Sequence, residues 1–172
     1  APLSVQAHAR TAQFIATVIH KPNVLILDEP FSGLDPISTN MIKDEIKRLQ
    51  DKGTTIIFST HRMEQVEEIC ERMVLINKGQ NVLEGNVDDI RRSNREHLFE
   101  LVAEGNIPEF FPPAYNLESK IGSKLIFRPE SQVTSSDLLR HFLNEDIHIQ
   151  SFKEIFPSIN EIFIKKKKKT NQ

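Results

Sequence analysis

The apolar run Val24-Leu25-Ile26-Leu27 leads directly into Asp28-Glu29-Pro30, and this segment restricts the fold more than any other. A continuous apolar run suits a strand covered on both faces, as in a parallel sheet. Two carboxylates at its exit then stand at the carboxyl edge of the sheet, where open α/β folds collect ligands. A second run, Thr54-Thr55-Ile56-Ile57-Phe58-Ser59, follows a helical stretch over Ser38–Lys52. In that stretch Met41, Ile42, Ile46 and Leu49 fall at helical spacing, and Gly53 is placed as the C-terminal stop. A helix over Gln13–His20 precedes the first run, and a helix over about Arg62–Cys70 leads to a third strand, Arg72–Ile76. Asn77-Lys78-Gly79-Gln80 then turns the chain into Asn81–Gly85. Strand, helix, strand, helix, strand predicts an α/β layer with right-handed crossovers.

The pattern changes near residue 90, where Asp88–Glu96 is charged and without strand character. Beyond it, short strands at Leu98–Val102, Lys124–Phe127 and His148–Lys153 alternate with helices over Asp137–Asn144 and Ser158–Lys165. These predict a small α+β module. Phe110-Phe111-Pro112-Pro113 and Tyr115 read as a loop covering apolar surface, and Lys165–Lys169 as a solvated, frayed tail.

Composition narrows the setting. The 172 residues carry 22 basic and 24 acidic side chains, a net charge of -2 that gives no prior for a nucleic-acid partner. No apolar run reaches the ~18 residues of a membrane span, and the N-terminal residues do not read as a secretion signal. The single Cys70 excludes an internal disulfide, and no Cys/His cluster has zinc spacing, so a reducing, cytoplasmic setting is expected. Cys70 itself is expected to be buried rather than reactive.

The chemistry gathers at the carboxyl edge. Asp28 there can hold Mg²⁺, chiefly through the ion's water shell, and the adjacent Glu29 can orient or deprotonate a water. A tight loop, Ser32-Gly33-Leu34-Asp35-Pro36, follows the first strand, and Ser59-Thr60-His61 follows the second. If the two strands are parallel, both segments share that edge, where His61 can hydrogen-bond a phosphate oxygen and the carboxylate.

These residues resemble the nucleotide-binding subunits of ATP-binding cassette (ABC) transporters. Leu25-Ile26-Leu27-Asp28-Glu29-Pro30 is similar to the family's Walker B strand with its following glutamate, Ser32-Gly33-Leu34-Asp35 to the D-loop, and Ser59-Thr60-His61 to the switch histidine. The resemblance covers roughly residues 13–92. It implies part of a P-loop NTPase sheet layer, with ATP and Mg²⁺ as cofactors. By the same resemblance Asp28 serves the Mg²⁺, Glu29 polarises the water, His61 senses the γ-phosphate, and Ser32, Gly33 and Asp35 face the nucleotide and a dimer interface. It also implies transmembrane permease subunits and a second ATPase subunit as partners, no nucleic acid, and a place at the inner face of the cell membrane. The module over 93–172, through Phe156-Pro157-Ser158-Ile159-Asn160-Glu161-Ile162-Phe163-Ile164, resembles the C-terminal extension of bacterial ABC-2-type exporter ATPases.

A phosphate cradle is missing from the sequence. A P-loop needs G-x-x-x-x-G-K-[ST], and Gly33, Gly53, Gly79, Gly85, Gly105 and Gly122 offer no pair at that spacing. The family's Leu-Ser-Gly-Gly-Gln signature would fall on Ser4-Val5-Gln6-Ala7-His8, which shares nothing with it. The expectation is therefore the C-terminal part of a longer ATPase, inactive alone, with residues 1–12 a leader outside the family pattern. The open edges and apolar faces of its strands predict self-association or rearrangement of the first segment. The alternatives are a regulatory, dimerisation or docking module, and an ABC-type ATPase not attached to a transporter.

Overall fold

The computed structural model describes residues 5–105, 107–108, 110–144 and 147–170. The chain divides into two compact units between Glu71 and Arg72. No described helix is long and apolar enough to cross a membrane.

The first unit contains α1 (Val5–Val18), β1 (Val24–Asp28), α2 (Pro36–Asp51), β2 (Thr55–Ser59) and α3 (Met63–Ile69). The two strands are parallel and in register from Val24 opposite Thr55 to Asp28 opposite Ser59. On one face Leu25, Leu27, Ile56 and Phe58 pack with Phe14 of α1, with Phe31, and with Ile42, Ile46 and Leu49 of α2. The last three repeat at helical spacing, which is why this face of α2 is buried. Phe31 meets Phe58 edge-on at 5.9 Å between ring centres. The second helix stops as expected: Gly53 takes φ 90°, and the Gly53 and Thr54 N–H groups close onto Gln50 O and Leu49 O.

Three expectations need correction in this unit. The strands are covered on one face rather than two, because their alternate residues Ile26 (73% exposed) and Ile57 (56%) meet no described layer. Met41 points to solvent, so the buried stripe of α2 is narrower than its sequence pattern. The first helix begins at Val5 and ends at Val18, earlier at both ends than the apolar pattern indicates.

In the second unit β3 (Arg72–Asn77) pairs antiparallel with β4 (Gln80–Asn86). Lys78 (φ 50°) and Gly79 (φ 74°) form the two-residue turn between them, both in the left-handed region that such a hairpin requires. The third predicted strand therefore belongs to a separate hairpin and does not extend the parallel pair. Next come α4 (Val87–Ser93), β5 (Leu98–Gly105), β6 (Leu117–Ile121), β7 (Lys124–Phe127), α5 (Ser135–Asn144), β8 (Ile147–Ile155) and α6 (Ile159–Thr170). The last four strands form an antiparallel sheet in the order β6-β7-β5-β8. Leu101, Ala103, Leu125 and Phe127 of this sheet bury completely against Leu138 and Phe142 of α5. From the aromatic loop, Phe111 and Tyr115 pack onto the same core while Phe110 stays in solvent.

The lysine-rich end is helical through Thr170, not frayed. Ser158 and Glu161 cap α6 reciprocally, Ile159 and Ile162 are buried, and Lys165 pairs with Glu96. The strand β6 has no counterpart in the hydrophobic pattern of the sequence. Cys70 is half-buried, and desolvation pushes its thiol above the usual range.

Candidate active site

The parallel register brings the ends of β1 and β2 side by side, and the site is built there. The Ser59 hydroxyl donates to Asp28 Oδ1, and the Glu29 N–H donates to Ser59 O at 3.0 Å. At Glu29 the backbone enters the left-handed region, φ 46°, which an L residue adopts only at a cost. That turn carries its carboxylate to the segment after β2. There Glu29 Oε1 accepts the His61 N–H at 2.9 Å and lies 2.7 Å from His61 Nδ1. These bonds, that of the imidazole first, hold the Glu29 carboxyl below its usual range, so it stays an anion and can accept a proton.

The contact also determines the tautomer. For Nδ1 to donate to Glu29 it must carry the proton, which leaves Nε2 of a neutral ring as an acceptor. His61 bonds both a carboxylate and a phosphate oxygen as donor only when doubly protonated. Its side chain is 74% exposed, so the far nitrogen is accessible.

Thr60 and Gln65 complete the cluster. The Thr60 hydroxyl lies 2.8 Å from Gln65 Oε1 and 3.3 Å from Glu29 Oε2, and it accepts the Arg62 N–H at 3.2 Å. Gln65 is a buried polar residue on α3 that sequence reasoning missed. Its only signal in the sequence is a polar residue placed one helical turn beyond His61.

The loop residues have other tasks. Asp35 caps α2: its oxygens accept the Ile37 and Ser38 N–H groups at 3.0 Å and the Ser38 hydroxyl at 2.6 Å. The Ser38 hydroxyl, and after it the Ser38 N–H, keep the Asp35 carboxyl below its normal range. Gly33 has φ 73°, and Ser32 bonds back to Glu29 O at 3.1 Å. Ser32 O accepts Arg10 Nη1 at 2.6 Å, so α1 reaches the loop through a residue that the motifs did not single out. The structure thus unites Asp28, Glu29 and His61, and places Ser32, Gly33 and Asp35 on the connection into α2. A cavity of about 330 Å³ opens beside Asp28 and Glu29, with Arg10, Gln13 and Thr17 of α1 on its other side.

Sequence comparison identifies relatives for both units. The family described as "ATP-binding protein DrrA1-3-like, C-terminal domain" matches residues 85–167. An uncharacterized ABC transporter ATP-binding protein of Alkalihalophilus pseudofirmus is 36% identical over 90% of this chain and 58% of its own length. The uncharacterized ABC transporter ATP-binding protein YhaQ of Bacillus subtilis is 35% identical over 90% of this chain and 52% of its own. Over nine-tenths of its length the chain is similar to ABC transporter ATP-binding proteins. It spans about half the length of these relatives. The linearmycin resistance ATP-binding protein LnrL of Bacillus subtilis is 29% identical over 87% of this chain and 51% of its own. An α/β unit followed by an α+β module, the architecture expected of this part of an ABC ATP-binding protein, is the one observed.

Proposed function

We propose that this chain carries the hydrolytic edge of the ATP-binding subunit of an ABC-2-type exporter. The observation that carries the proposal is the Glu29–His61 pair at the end of a parallel β1–β2 register, with Asp28 beside it. Glu29 stays ionised, and Oε1 is occupied by His61. Its other oxygen, which has the Thr60 hydroxyl at 3.3 Å, is the one that would accept a proton from a water, as a general base must.

ATP and Mg²⁺ are the cofactors of this reading. Among the described residues no group of three or more His, Cys, Asp or Glu side chains is placed to hold a metal ion. The Asp28 carboxylate is exposed, and the Ser59 hydroxyl is its hydrogen-bond partner. Such a donor fits an ion held mainly by water and nucleotide phosphates, the usual arrangement for Mg²⁺. When bound, Mg²⁺ would neutralise phosphate charge next to Asp28. His61 would meet the terminal phosphate with Nε2, in its doubly protonated form if it is to donate there. Phosphoryl transfer is mostly positioning and charge stabilisation. Without a P-loop or a glycine-rich signature in its sequence, the chain alone is therefore expected not to turn over ATP.

The partners proposed are permease subunits in the membrane and a second ATPase subunit, with Asp35 and its loop at the contact between the two ATPases. The placement that follows is cytoplasmic, at the inner membrane face. The domain division proposed is a leader over residues 1–12, an ATPase part over 13–92 and an extension over 93–172; the C-terminal family at 85–167 overlaps the extension, while the compact units divide between Glu71 and Arg72. In a full-length subunit carrying this sequence, Glu29→Gln is expected to abolish ATP turnover while the ATP-bound dimer still forms. Wild-type turnover by that variant would remove Glu29 from the role of base.

A further inference from the structure

The Thr60 hydroxyl has one proton and two acceptors in reach. Gln65 Oε1 is at 2.8 Å and Glu29 Oε2 at 3.3 Å, and the shorter contact is the better hydrogen bond. Gln65 is buried on α3, and its amide oxygen cannot become a donor at any pH. One lone pair of the Thr60 oxygen is meanwhile engaged by the Arg62 N–H.

We propose that Gln65 is a positioning residue, which takes the Thr60 proton and thereby keeps Glu29 Oε2 open for a water. The inference rests on the reading of Glu29 as base, and it adds the group that prevents a neighbouring hydroxyl from occupying the working oxygen. Glu29 Oε1 is taken up by the two His61 contacts, so a second donor on Oε2 would compete directly with a water. The same bond ties the turn carrying His61 to α3. Other charged groups near the Glu29 carboxylate are Asp28 beside it, His61 across the strand ends, and Arg10 on the far wall of the cavity.

The test is carbon-13 NMR of the Gln65 side-chain carbonyl and the Glu29 side-chain carboxyl at one fixed neutral pH in this chain, as wild type, Thr60→Val, Gln65→Leu and the double variant, since each carbon reports the hydrogen bonds its oxygens accept. If Gln65 holds the proton, Thr60→Val shifts the Gln65 carbonyl carbon and leaves the Glu29 carboxyl carbon where it was. Gln65→Leu releases the hydroxyl to Glu29 and shifts the Glu29 carbon, and the double variant returns it to the wild-type position. The proposal is overturned if Thr60→Val shifts the Glu29 carbon and not that of Gln65, or if Gln65→Leu leaves the Glu29 carbon unchanged. A packing role for Gln65 predicts no return in the double variant. Gln65→Met replaces Gln65→Leu if the latter does not give a folded amide spectrum. The reading of the site as hydrolytic is tested by turnover of Glu29→Gln subunits, and the proton assignment by these shifts, so the failure of one is distinct from failure of the other.

Discussion

The two units solve the covering of a sheet in different ways. In the second, the antiparallel sheet puts Leu101, Ala103, Leu125 and Phe127 against α5 with no exposure, and its other face carries Glu100 between Lys124 and Lys153. In the first, the parallel pair buries one face and leaves Val24, Ile26 and Ile57 in solvent. Antiparallel sheets tolerate a wet face, and their strands alternate accordingly. Parallel strands are written for burial on both sides. The lesson is that the four-stranded sheet of the second unit is closed on one face by its own residues, while the parallel strands of the first have an apolar composition suited to a layer that the described residues do not supply.

The largest test of this contrast is in the closed core. Phe127→Ala is expected to destabilise the second unit by about 3–5 kcal/mol, the cost of a large cavity in a packed interior. Urea unfolding followed by unit-specific amide exchange would measure it. A loss shared equally by both units would mean that they unfold together.

A smaller effect separates the wet faces. Hydrogen bonds from Lys124, and then Lys153, keep Glu100 below its usual carboxyl range. A lowered folded-state value means that the stabilisation is present above the unfolded value, near 4.5, and is lost as pH falls further. Stability of the second unit should therefore drop below about pH 4.5. Glu100→Gln should flatten that drop, at a cost of about 1 kcal/mol at neutral pH. An unchanged acid limb in the variant would assign the drop to other carboxylates.

The smallest expected change in stability comes from the bare face. Ile26→Thr with Ile57→Thr should alter unfolding free energy by less than about 0.5 kcal/mol, since both side chains are in water already. The same pair should reduce self-association, read by light scattering across concentrations. Association unaffected by both substitutions would show that this face is not what drives it.

What could be read in advance follows from how far each signal travels. The apolar runs of β1 and β2, the spacing of Ile42, Ile46 and Leu49, and the Asp28-Glu29 and His61 motifs are local, and all are found where the pattern puts them. The edge strand Leu-Glu-Ser-Lys-Ile at 117–121 has a polar centre and an exposed Ile121, so it lacks the alternation that marks a strand. The lysine-rich helix is held by Ile159, Ile162 and a partner at Glu96, none of which the run of lysines announces. Met41 sits in the apolar stripe of α2 by spacing alone, and only the depth of the neighbouring layer decides that it is left out. The Thr60–Gln65 contact depends on the turn angle between β2 and α3, which no pairwise spacing encodes.

Asp35 has a further consequence. Both of its oxygens are engaged by the opening turn of α2, the helix that supplies Ile42, Ile46 and Leu49 to the first core. Anything that draws this carboxylate outward must compete with that turn. A pull on the loop is therefore felt as fraying at the start of a core helix, so a contact made at the surface is mechanically geared to the interior.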